Sequence, residues 1–336
     1  MESNKKHYLA VTAVLCALLL IISLAALYLG SSKIAVGEIF DVILGKGDKT
    51  QEIILKNIRL PRLVAGILAG VALSASGILL QSVTGNPLCS PGVLGINAGA
   101  GFALILFMYA FPKLYRFYPA AAFAGAAVST GIIVLLHLFR HSSKLRLVLS
   151  GIAVSSVLSA GISFISMLDT DLLQSYNSFA IGGLSFVRMN ELAVPAVIIA
   201  VCFFISMILA PTLNILCVGG ETARGLGVKV NAVYVISLLL ASALAASAVS
   251  FSGLLGFVGL IVPNMARKLV GSDLKRLFPC CAMLGACIVV VSDVIGRTLF
   301  APTEMPVGII MSFVGGPFFL WLLFKKDKSK GGVNYD

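Results

Sequence analysis

Residues 219–230 read GGETARGLGVKV, a glycine-broken polar island set between two long apolar runs. Glu221, Arg224 and Lys229 would each cost roughly 2.5–3.5 kcal/mol at the centre of a bilayer. The island therefore meets water or another protein. The runs on either side, 192–212 and 231–251, reach the roughly 20 apolar residues that span a hydrocarbon core.

The rest of the chain repeats this pattern. With 59% hydrophobic and 12% charged residues among 336 and a mean hydropathy of +1.02, a water-soluble globule is excluded. Ten spans are expected, at 8–29, 60–83, 93–111, 117–139, 146–168, 192–212, 231–251, 254–267, 277–297 and 306–324. The expected fold is all-α, a polytopic membrane protein whose single domain fills residues 1–336. Residues 213–230 are expected to form cytoplasmic coupling helices between spans six and seven. The first run is too long for a signal-peptide core and lacks a small-residue cleavage site, so it reads as a retained span.

An even number of spans puts both termini on one side. If that side is cytoplasmic, it carries fifteen of the 25 lysines and arginines and five of the 14 acids, as the positive-inside rule prefers. The basic excess is then a topology signal. No aromatic-interleaved basic patch points to nucleic acid.

Two stretches are interrupted. Gly85-Asn86-Pro87-Leu88-Cys89-Ser90-Pro91-Gly92 precedes Gly95, Gly99 and Gly101, and the eighth span is broken by Gly256, Gly259 and Pro263. Paired broken segments in the two halves of a membrane protein mark a transport pathway; tight turns and close-packing glycines are the other reading. Asn86 is a pathway candidate on the first reading.

Chemistry inside the spans is sparse. Asp293 is the one carboxylate away from a span boundary, and Arg297 four residues on can pair with it along one helix face. A proton-coupled pump needs a relay of buried carboxylates or histidines, and no such relay is visible. His137 and His141 share the same spacing without a third ligand, so no metal site is expected. Ser155, Ser159, Ser163 and Ser166 fall on one face of span five, suited either to a passing polar solute or to close helix packing. The seven cysteines form no C-x-x-C pair and read as small apolar residues, with loop-borne Cys89 set apart. No G-x-x-x-x-G-K-[ST] sequence occurs, so any ATP drive must come from a partner.

Five stretches together resemble the FecCD-type permease family: IRLPRLVAGILAGVALSASGILLQ (58–81), NPLCSPGVLGINAGAG (86–101), the island GGETARGLGV, GFVGLIVPNMARKLVGSD (256–273) and PVGIIMSFVGGPFFLWLL (306–323). Members are membrane subunits of importers for ferric siderophores, haem and cobalamin. The resemblance implies a type II ABC importer permease of ten transmembrane helices, two of which pair as a homodimer or heterodimer around a central pathway in the cell membrane. It implies separate ABC ATPase subunits inside, carrying ATP and magnesium that this chain does not bind, and an extracytoplasmic substrate-binding protein outside.

Under the resemblance, Gly220, Glu221, Ala223, Leu226 and Gly227 contact the ATPase, while Arg59, Arg62 and Arg297 receive glutamates of the binding protein. Interfacial snorkelling is the plainer reading of those arginines. Residues 142–145 match an inner gate region only loosely. The family commonly has histidine at Asn264, a charged residue at Gly85 and alanine at Cys89, so the substrate stays open among siderophores, haem and cobalamin. An ion-coupled secondary transporter is the rival class, and a membrane-embedded enzyme fits less well for want of a buried nucleophile or acid–base pair.

Overall fold

The computed structural model describes residues 2–30, 37, 48–140, 144–299 and 301–324. Every regular element among them is helical: α1 (Glu2–Tyr28), α2 (Lys49–Ile53), α3 (Leu60–Thr84), α4 (Ile96–Ala110), α5 (Tyr118–Arg140), α6 (Lys144–Leu168), α7 (Thr170–Ile181), α8 (Met189–Val218), α9 (Gly220–Gly225), α10 (Val230–Ser252), α11 (Val258–Val270), α12 (Leu274–Thr298) and α13 (Val307–Phe324). A π-helical turn, Ile54–Arg59, fuses α2 to α3, and a 3₁₀ turn, Tyr115–Phe117, leads into α5.

Eight helical stretches among the described residues are long and apolar enough to cross a membrane, and α4 and α11 are shorter. The shortening has a local cause. The expected span 93–111 begins helically only at Ile96, because Gly85 and Gly95 adopt φ of 66° and 73° and hold the intervening residues in turns. The expected span 254–267 runs instead from Val258 to Val270, after a non-helical stretch at Gly253–Phe257. Conversely, α8 reaches from Met189 to Val218 with Pro195 and Pro211 inside it.

Helix α3 is the axis of the bundle and packs on α8, α10, α11 and α12. Small residues permit it. A Cβ on Gly70 would lie 2.3 Å from the Gly285 carbonyl oxygen of α12, and one on Gly77 would lie 2.0 Å from that of Gly259. In a bilayer, where lipid tails compete for apolar contact, such close backbone approach is what holds helices together. Hydroxyls add to it: Ser76 donates to the Ala241 carbonyl (2.7 Å) and Thr130 to Ser242 (2.7 Å), fixing α10 against α3 and α5.

Helix α7 falls between the expected spans 146–168 and 192–212. Asp169 caps it, accepting from the backbone N–H groups of Asp171 (3.0 Å) and Leu172 (3.3 Å). The stretch 213–230, expected to be coupling helices throughout, contains the last turns of α8 and a single six-residue helix, α9. Gly219 (φ 148°) ends α8 and Gly227 (φ 82°) ends the reversal.

Candidate transport pathway and docking sites

The two interrupted stretches meet. Gln81 on α3 donates from Nε2 to the carbonyls of Gly259 (3.1 Å) and Cys89 (3.3 Å), and its Oε1 accepts from Arg267 of α11. Asn264 donates to the carbonyl of Pro87 (2.9 Å) and to that of Leu260 (2.8 Å). Side-chain amides thus satisfy backbone groups that the broken helices release at membrane depth, where an orphaned group is costly. Phe257, in the left-handed region at φ 65°, opens α11, and its ring lies where a Cβ on Gly315 would be. Asn86 is exposed and serves the turn, its Oδ1 accepting from the Leu88 N–H at 2.9 Å. Cys89 is 1% exposed and unpaired.

At the end of the bundle away from the island, the three singled-out arginines are buried, between 3% and 4% exposed. Arg62 Nε donates to both oxygens of Asp293 (2.7 and 3.0 Å), and its Nη1 donates to Glu304 (2.6 Å) in the connection between α12 and α13. Arg297 lies 3.6 Å from Asp293 and donates to the Ala26 carbonyl, while Arg59 donates to the carbonyls of Leu27 and Tyr28 (2.8 Å). Those are the last carbonyls of α1, the negative end of its dipole, and they have no partners within the helix. The arginines thus cap a helix and close an ion cluster within the chain, and their side chains are buried.

Glu304 is the most exposed member of the cluster and also accepts from the Ser185 hydroxyl (3.2 Å). Partial burial pushes its pKa up, but Arg62, Ser185 and Arg297 outweigh that and hold it below the usual glutamate value. Beside this clasp, Gly308 donates its N–H to Gly182 (3.1 Å), and a Cβ on it would collide with the Ile181 carbonyl. The clasp thus pins the start of α13 against the end of α7. A cavity of about 540 Å³ opens there between Ile181, Leu254, Gly308 and Phe313.

The serine face of α6 is graded in burial. Ser155 is half-buried, Ser159 and Ser163 are exposed, and Ser166 is buried with no partner for its hydroxyl. Ser155 and Ser163 donate to the carbonyls four residues back, at 2.8 and 3.1 Å. On the island, Ala223 is wholly buried whereas Leu226 is 67% exposed. Glu221 and Gly227 are also exposed, and Gly220 is half-buried. Ala223 therefore anchors α9 while its neighbours face outward. The described residues hold no group of three or more metal-ligating side chains. The side chain of His137, and His141 with residues 142 and 143, fall outside the described residues.

Gln81, Arg267 and Glu304 are functional positions that the expectations from sequence do not include. A lone glutamine in an apolar span was a usable signal for the first; nothing local marks the others.

Known proteins share this architecture. The hemin transport system permease of Yersinia pestis is 36% identical over 82% of this chain and 84% of its own length. An Fe(3+)-citrate import system permease of Bacillus subtilis is 34% identical over 95% and 96%. The ferric enterobactin transport system permease of Escherichia coli is 34% identical over 94% and 95%. A solved chain, from an inward-facing metal-chelate type ABC transporter, superposes with a TM-score of 0.83 at 28% identity, covering 94% of this chain and 99% of that one. The model of the FecCD transport family matches residues 18–325, and the chain belongs to that family.

Proposed function

We propose that this chain is the permease subunit of an ATP-driven importer of ferric chelates. The family match over residues 18–325 carries the reading. Relatives at 34–36% identity are named for hemin, ferric citrate and ferric enterobactin, cargoes whose common chemistry is iron held by an organic chelator. A ferric siderophore is the favoured cargo, with haem as the alternative.

The full assembly pairs two permeases, identical or homologous, with two ABC ATPases and an extracytoplasmic binding protein in the cell membrane. Ten crossings, counting α4 and α11 with the eight longer spans, leave both termini cytoplasmic and give the type II importer arrangement. The pathway runs between the two permeases, past the serine face of α6 and the cavity at Gly308, both of which lie open on the single chain. This would explain why Ser159, Ser163 and Phe313 are exposed.

The island, with Glu221, Leu226 and Gly227 outward, seats in the ATPase, which carries the ATP and magnesium. Docking of the binding protein involves the end bearing Arg59, Arg62 and Arg297. Since Arg62 already holds Glu304, a docking carboxylate competes with an internal one. Uptake of labelled ferric enterobactin, ferric citrate and hemin by a strain deleted for this gene tests the cargo. Loss of one of the three, restored by the gene, is expected; wild-type uptake of all three would contradict the reading.

A further inference from the structure

We propose that the groove between α5 and α8 binds one anionic phospholipid, from the leaflet at the clasp end of the bundle. Helices α5 and α8 each pack on α10, and the gap between them is a cavity of about 870 Å³ that Ser250 of α10 also lines. It is larger than the cavity beside the clasp and lies away from the broken segments.

Its mouth and its walls differ in character. Arg116 and Arg188 stand exposed at the mouth, and neither forms an ion pair among the described residues. Glu191 is the one acid lining the cavity, and its carboxylate accepts the Arg188 backbone N–H at 3.3 Å, which leaves the mouth with net positive charge. Tyr115 and Phe186, both exposed, line the same cavity as the two arginines. Basic and aromatic side chains together at the ends of spans form a headgroup-level belt.

The walls are apolar and run inward along α8 to Ile198. Ile198 lies ten residues beyond Arg188, and at about 1.5 Å per helical residue that is roughly 15 Å. Half of a hydrocarbon core of about 30 Å is the depth of one leaflet. A guanidinium pair at the mouth of an apolar slot one leaflet deep matches a phosphate headgroup with its acyl chain. A soluble anion would leave the slot empty. A neutral lipid would leave the arginines unmatched.

Native mass spectrometry of the full-length permease in detergent tests this, with phosphatidylglycerol, phosphatidylcholine of the same acyl chains, or glycerol 3-phosphate added. The expected result is one phosphatidylglycerol retained above the non-specific ladder and not displaced by the other two. R116A/R188A should weaken retention about 25-fold, roughly fivefold for each charge at the headgroup surface. R116K/R188K, which keeps the charge and controls for folding, should retain most of it. V194W, which fills the slot under intact arginines, should also lower retention. Equal retention of phosphatidylcholine, equal binding of glycerol 3-phosphate, or unchanged retention in R116A/R188A would each overturn the proposal. So would protection of residues 186–198 from hydrogen exchange by the binding protein but not by lipid, which would make the groove a protein contact.

Discussion

Arg62 and Asp293 are 231 residues apart in the chain and 2.7 Å apart in space, and both are buried. They join the start of α3 to the end of α12. A buried pair gains little over a well-packed apolar one, yet losing one partner strands the other charge and costs about 3–5 kcal/mol.

D293A should therefore lower the melting temperature of the purified permease sharply, leaving Arg297 without its carboxylate and Arg62 with Glu304 alone. R62A/D293A should be less destabilised than the two single changes predict together, with a coupling in the range of about 0.5–3 kcal/mol. Thermal melts in detergent over the complete cycle measure it. Additive effects would mean that the pair does not act as a unit.

Glu304 gives the clasp a pH dependence of definite sign. Its folded pKa lies below that of the unfolded chain, near about 4.3. The clasp's contribution is therefore fully present above that value and lost as pH falls through the lower folded pKa. Protection of the Met305 and Gly308 amides, which donate to Gly296 and Gly182, taken relative to the intrinsic exchange rate at each pH, should be high at neutral pH and fall in acid. E304Q should show low protection already at pH 7 and no further loss in acid.

Ala223 in α9 and Leu226 just after it allow folding to be separated from the proposed ATPase contact. A223L overpacks a wholly buried site and should cost about 1–3 kcal/mol of stability. L226E alters an exposed side chain and should leave the melting temperature unchanged while weakening ATPase association about tenfold or more, as loss of a central interface contact does. Co-purification with the ATPase distinguishes them. Full association in L226E would remove Leu226 from the coupling surface.

Gly77 and Gly259 make a harder demand. With a carbonyl oxygen 2.0 Å from the position of a new Cβ, G77A requires α3 and α11 to separate. That would stretch the Gln81 hydrogen bond to Gly259. A reduced melting temperature and lost transport are expected, whereas G131A, on the open side of α5 with nothing within 4 Å, should be silent on both counts.

Much of the bundle was legible because lipid imposes a plain code. Apolar runs such as 231–251 fall within a residue of the helix ends observed for α10, and the island stood out because charges there have no place in hydrocarbon. The breaks at Gly85 and Gly256 were visible as well, since glycine and proline punctuate a helix. That the two breaks touch was not: Gln81 reaches Gly259 across 178 residues, and no spacing encodes that. Helix α7 escaped because its polar face, with Asp171, Gln174 and Asn177, interrupts any apolar run. Span topology and the family resemblance place the three arginines at the outer face but say nothing of what covers them. Their burial depends on the end of α1 packing over them, which only the tertiary arrangement supplies.

Import driven by ATP on a partner chain can be measured in proteoliposomes holding the permease, an ABC ATPase and a binding protein, supplied with a labelled ferric chelate. Uptake that requires ATP on the island side and ignores an imposed pH gradient is the expected result. Uptake driven by the pH gradient in the absence of ATP would contradict it and point to an ion-coupled transporter.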